Sequence, residues 1–128
     1  LVNGEDVEIP VYDFKTHLRT KETNRLKSKP IIILEGIFAL HDHKIRELIN
    51  IKIFVDTPSD IRVLRRVKRD INKRGRSIES IINQYTESVR PMHEKFVEPS
   101  KKYADITVME GGRNKMAIDI INHTIHHY

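Results

Sequence analysis

Three short runs of branched, apolar residues set the strongest limit on how this chain can fold: Ile31-Ile32-Ile33-Leu34, Ile51 to Val55, and Ile106-Thr107-Val108-Met109. A continuous run of this kind is the form taken by a strand buried on both faces of a parallel sheet, whereas a half-exposed strand alternates. Between the first two runs, Ile45, Leu48 and Ile49 have the spacing of a short amphipathic helix, giving a crossover of adequate length. After the third, Gly111-Gly112 turns the chain into a helix bearing Met116, Ile120, Ile121 and Ile125. Strands alternating with helices predict an α/β layered sheet. With 128 residues, one core and one domain over residues 1–128 are expected.

Ahead of these runs, Val7, Ile9 and Val11 alternate with Glu8 and Pro10, predicting an edge strand. Tyr12-Asp13-Phe14 is expected to leave that strand for a long polar loop reaching Pro30. Cysteine is absent, which excludes a disulfide framework and thiol chemistry, and no apolar run approaches the roughly 18 residues of a membrane span. A cytoplasmic setting fits these features. The first residues, Leu1 to Glu5, carry neither an initiator Met nor a signal pattern, so an upstream portion is expected.

Charge is concentrated rather than spread. Between Asp60 and Arg76, eight Lys and Arg residues stand against Asp60 and Asp70, a local sum of +6 in a chain of net +5, so everything else sums to −1. That pattern argues against a nucleic-acid coat and for one local anion site. The same stretch reads as a helix, with Thr57 as N-cap, Pro58 at the first helical position, Asp60 three residues after Thr57, and Gly75 as the stop. Ile61, Leu64, Val67 and Ile71 fall on one stripe, expected to pack; Arg62, Arg65, Arg66, Arg69 and Lys73 fall on the other. Cations four residues apart repel, so such a stripe needs solvent, carboxylates or an anionic ligand. The arginine fork suits phosphate oxygens, and Arg74-Gly75-Arg76 extends the patch around a glycine, as a hinged lid would. Ser77 can cap a second helix with Ile78, Ile81, Ile82, Tyr85 and Val89 on a buried face, interrupted or kinked at Pro91.

Glu35 ends a buried-type run, at the sheet edge where open α/β folds place ligands, and could hold magnesium through water. His17 lies near Tyr12 and Phe14, three rings able to sandwich a planar base. A zinc site built on His41 and His43, or on His126 and His127, is excluded because no familiar ligand spacing is completed. No G-x-x-x-x-G-K-[ST] phosphate loop occurs.

Taken in order, Ile9-Pro10-Val11-Tyr12-Asp13-Phe14-Lys15-Thr16-His17, Ile33-Leu34-Glu35-Gly36-Ile37, Ile53-Phe54-Val55-Asp56-Thr57, Arg65-Arg66-Val67-Lys68-Arg69-Asp70 through Arg74-Gly75-Arg76, Gln84-Tyr85, Val89-Arg90-Pro91 and Glu98 to Asp105 resemble the uridine/cytidine kinase family. The resemblance runs through nearly the whole chain. It implies a P-loop-kinase-like parallel sheet flanked by helices, here incomplete because the phosphate-loop strand has no counterpart. It further implies a homotetramer that moves the γ-phosphoryl group of ATP or GTP, with Mg2+, onto the 5′-hydroxyl of uridine or cytidine. By the same resemblance, Tyr12, Phe14 and His17 hold the pyrimidine, and Arg66, Arg76 and Gln84 contact the nucleoside. Arg69 and Arg74 are lid arginines near the phosphates, and Glu35 is the magnesium-associated carboxylate. The phosphate loop and the aspartate base have no match, so this chain alone is expected to be inactive. Near the adenine side Glu110 and Arg113 flank Gly111-Gly112, and Glu110 stands where family members often have Arg. The competing readings are a basic RNA-binding module and a non-catalytic assembly module.

Overall fold

The computed structural model describes residues 1–13, 18–109 and 114–127. They divide into two compact units, Leu1–Glu35 and Gly36–Tyr128.

The first unit is an antiparallel hairpin of β1 (Val7–Asp13) and β2 (Leu18–Leu26), with Val7 opposite Leu26 and Asp13 opposite Leu18. Two expectations change here. Tyr12 and Asp13 belong to the strand, and much of the stretch expected to be a loop is its partner. The polar sequence of β2 hid it because every residue of the strand is exposed, so neither face carries the apolar alternation that betrays a strand. The register shifts between Pro10 and Tyr12, and in the opposing part of β2 the Thr20 hydroxyl accepts from Glu22 N at 3.2 Å. Asp6 closes the open end, accepting from Ser28 N at 3.0 Å and pairing with Arg25 at 3.1 Å.

Ile31 to Leu34 forms no strand. It is exposed throughout, Ile33 to 80%. Apolar composition supplies a strand's side chains, but the ladder has to come from a neighbour's N–H and C=O groups. Among the described residues the two strands of buried type pair with each other instead.

These are β3 (Ile53–Asp56) and β4 (Ile106–Met109), paired in parallel with Ile53 opposite Ile106 and Asp56 opposite Met109. Lys52 and Asp105 start the ladder: Lys52 N donates to the Asp105 carboxylate at 2.7 Å, and Lys52 O accepts from Asp105 N at 2.8 Å. Helices supply the crossover, as a parallel pair requires. The α/β class expected from the alternating pattern stands. Helix α1 (His43–Leu48) precedes β3 and is capped by Asp42, whose carboxylate accepts from Ile45 N. Next to it, Arg46 donates to the carbonyls of Leu40 and His41 and stacks 3.8 Å from the Tyr103 ring centroid, while His41 meets Phe38 and Phe96 edge-on. The described residues contain no cluster of metal-binding side chains.

Helix α2 (Ser59–Arg74) is followed by α3 (Ile78–Gln84), capped by Ser77 as expected. The helix cap of α2 is Pro58 rather than Thr57, without a side-chain bond to the first turn. Past Gln84 the chain stays helical to Tyr103 through a π-turn at Tyr85–Val89, a short α4 (Arg90–Met92), a second π-turn at His93–Val97 and a 3₁₀ segment. Pro91 therefore does not end the helix. The widened turns on either side accommodate a residue that lacks an N–H and crowds the preceding turn. Helix α5 (Lys115–His126) closes the chain, capped by Asn114. The glycine pair expected to lead into it lies outside the described residues.

Candidate functional site: an arginine cluster around Asp70

The faces of α2 are not sorted as the simplest reading of its sequence expects: Val67 is half-buried, but the rest of its stripe is not. Leu64 is 64% exposed, and Ile61 and Ile71 are exposed as well. Meanwhile Arg62 and Arg66 are half-buried and Asp70, one turn further along the same side, is fully buried. Side chains at i, i+4 and i+8 share a face. Buried charge needs partners, and this face carries its own.

Asp70 is the centre of that arrangement. Its carboxylate accepts from Arg69 Nε at 2.8 Å and lies 3.4 Å from Arg74 and 3.8 Å from both Arg66 and Arg76. The hydrogen bond from Arg69 holds the Asp70 carboxyl below its ordinary range, against the opposing effect of burial. Burial pulls the Arg66 guanidinium below its usual range and Asp70 pushes the other way.

The chain reverses at this point because Gly75 adopts φ +61, the left-handed conformation that favours glycine. Gly75 N donates to Ile71 O and Arg76 N to Asp70 O, so the turn expected to be a loose hinge is a closed helix cap. The reversal brings Arg76 back beside Arg66. Both guanidinium groups donate to Gln84 Oε1 on α3, Arg66 at 2.8 Å, and Arg76 also reaches the Ser80 hydroxyl at 2.8 Å.

Beside the cluster, the basic side of α2 and the π-turned helix enclose a groove of about 770 Å³ whose walls include Arg62, Arg65, Arg66, Arg69, Tyr85 and Arg90. At its edge Arg62 donates to His93 Nε2 at 2.7 Å, and Glu98 lies 3.2 Å from the same nitrogen. Arginine can only donate, so this contact requires His93 Nε2 as the acceptor.

Of the residues singled out from sequence, Arg66, Arg69, Arg74, Arg76 and Gln84 are brought together. Tyr12 and Glu35 belong to the hairpin unit, Tyr12 on β1 and Glu35 exposed at the unit's last residue. Phe14, His17, Glu110 and Arg113 lie outside the described residues. Sequence reasoning missed Asp70. Its signal was legible, since it is the one carboxylate between Arg62 and Arg76 and stands four residues from both Arg66 and Arg74.

Chemically, a row of guanidinium forks beside a groove is a site for phosphate or another planar polyoxyanion. Arg69 and Arg74 are about half exposed, and the Arg74 side chain makes no hydrogen bond within the described residues, so donors remain for a ligand. Residues 1–117 match the Phosphoribulokinase / Uridine kinase family. The chain belongs to that family. The P-loop-kinase fold of the phosphoribulokinase/uridine kinase family agrees with the α/β class and the parallel pair found here. Among curated proteins, the uridine kinase of Bacillus subtilis strain 168 is 54% identical over 121 residues, 94% of this chain and 57% of that protein. The uridine kinase of Clostridium botulinum strain Langeland is 54% identical over 127 residues, 99% of this chain and 62% of that protein. The one from Halalkalibacterium halodurans is 54% identical over 121 residues. The chain thus spans about three-fifths of the curated relatives it matches.

Proposed function

We propose that this chain carries the nucleoside and lid side of a uridine/cytidine kinase, which transfers the γ-phosphoryl group of ATP or GTP to the 5′-hydroxyl of a pyrimidine ribonucleoside. The observation that supports this best is the convergence of Arg66, Arg76 and Gln84, assigned from sequence to the nucleoside, with Arg69 and Arg74, assigned to the phosphates. Phosphoryl transfer asks the protein chiefly for positioning and for positive charge placed where negative charge moves. In this reading Arg69 and Arg74 supply the charge, and the Arg66–Gln84–Arg76 group fixes the ribose and base. The family resemblance assigns Tyr12, Phe14 and His17 to the pyrimidine and Glu35 to Mg2+, which would neutralise phosphate charge when bound. We read the kinase as a cytoplasmic homotetramer.

The phosphate loop is absent from this sequence, so the chain by itself binds the acceptor side and does not turn over. Two assays test the reading together. Label from the γ-phosphate of ATP should appear in UMP and CMP when the full-length protein is given uridine or cytidine, and this chain should bind UMP saturably without transferring label. Binding of mixed RNA with a steep salt dependence, and no response to UMP, would favour the RNA-binding module instead.

A further inference from the structure

Four guanidinium groups within 4 Å of one carboxylate need an account that their individual roles do not provide. Arg66, Arg69, Arg74 and Arg76 lie on one helix and the turn that ends it, and left to themselves they would spread apart. Asp70 is fully buried among them, and the groove walls carry Arg66 and Arg69 but not Asp70. Its carboxylate is therefore placed to hold the arginines rather than to meet a ligand.

We infer that Asp70 is a positioning residue: it sets the spacing of Arg66, Arg69, Arg74 and Arg76 so that they, with Gln84, recognise a nucleoside phosphate rather than any anion. This deepens the nucleoside-kinase reading above and rests on it. Two details carry it. Asp70 holds Arg69 through Nε at 2.8 Å, leaving the outer fork of that guanidinium without a protein acceptor among the described residues. On the other oxygen, Asp70 Oδ2 and Arg66 Nε are both buried without a hydrogen bond and stand 3.8 Å apart. A hydrogen bond between them needs an approach of about 1 Å. Each atom gains a partner by that small closure, so a ligand that draws the cluster together is favoured over one that does not.

Replacing the carboxylate keeps all four arginines in the sequence, frees their spacing and raises the net positive charge. Simple anion attraction then persists while selectivity is lost. The test uses this chain with UMP and inorganic phosphate as probes, measured calorimetrically for the native protein, Asp70→Asn and Asp70→Glu, with circular dichroism to confirm folding. The ratio of UMP to phosphate affinity should fall about 10- to 100-fold in Asp70→Asn, and Asp70→Glu should recover most of it. An unchanged ratio in folded Asp70→Asn overturns the inference. A second readout needs no ligand: solvent exchange at the Arg69 Nε–H group, which donates to Asp70 at 2.8 Å, followed by NMR, should be slow in the native chain and fast in Asp70→Asn. If the native chain fails to discriminate UMP from phosphate, the nucleoside reading fails, and unchanged exchange on substitution then sinks the positioning role independently. Should Asp70→Asn not fold, exchange at Arg69 Nε–H in the native chain must by itself be slow, as a bond to a buried carboxylate requires; fast exchange there overturns the inference.

Discussion

Replacing Arg66 with alanine separates a ligand contact from a structural one. In the structure Arg66 donates one good hydrogen bond, to Gln84 Oε1 at 2.8 Å, and its distance to Asp70 is 3.8 Å. Gln84 keeps Arg76 as a donor, and Asp70 keeps Arg69, Arg74 and Arg76. Loss of fold stability should therefore stay near the value of a partly exposed ionic contact, about 1 kcal/mol. A charge-assisted bond to a bound nucleotide is worth more, about 1.5 to 3 kcal/mol, which weakens UMP binding roughly 10- to 150-fold. Lys68→Ala provides the control, because Lys68 is exposed on the same helix and outside the cluster. Calorimetric titration at about 0.15 M salt, where loose surface attraction is largely screened, measures both variants. The reasoning is refuted if Arg66→Ala binds UMP within about twofold of the native chain, or if Lys68→Ala loses as much, since either result reduces the site to generic charge.

The remaining predictions concern the frame that holds these groups. Because the folded Asp70 carboxyl is held below its ordinary value, chiefly by Arg69, its contribution to stability is complete above about pH 4 and lost as pH falls further. Urea midpoints should decline on acidification through that window in the native chain and less so in Asp70→Asn; parallel acid profiles contradict the assignment. Gly75→Ala should cost about 1 kcal/mol through its left-handed backbone alone, since an added Cβ meets nothing within 4 Å, and an unshifted urea midpoint would dispute the cap. In this cysteine-free chain, Leu64→Cys should react quickly with a maleimide and Ile81→Cys, at 1% exposure, slowly. Equal rates would restore the inward-facing apolar stripe.

What could be read from sequence was whatever a segment decides by itself. Helices α2 and α5, the Ser77 cap and the Gly75 stop follow from local periodicity and capping chemistry, and β3 and β4 from their branched runs. Strand β2 was illegible because a strand exposed on both faces carries no apolar alternation, so its Thr, Lys and Asn residues read as loop. The run Ile31 to Leu34 shows the reverse error, since strong strand composition does not provide a pairing partner. On α2 the apolar stripe is only partly covered, with Val67 half-buried and Ile61, Leu64 and Ile71 exposed. Hydrophobicity assigns Leu64 and Ile71 to the interior, and the structure instead buries the Arg62, Arg66 and Asp70 side against the π-turned helix. Five residues of the cluster had been singled out by resemblance, while Asp70 was passed over because a lone acid in a basic run looks like simple relief of repulsion.

The account stands or falls on whether Gln84 and the arginines around Asp70 meet the same nucleotide. Isotope-filtered NMR of this chain with UMP measures it: magnetisation should pass from the ribose and base protons of UMP to the Gln84 side-chain amide and the Arg66 and Arg76 guanidinium protons. Contacts confined to other residues, or none at saturating UMP, would contradict it.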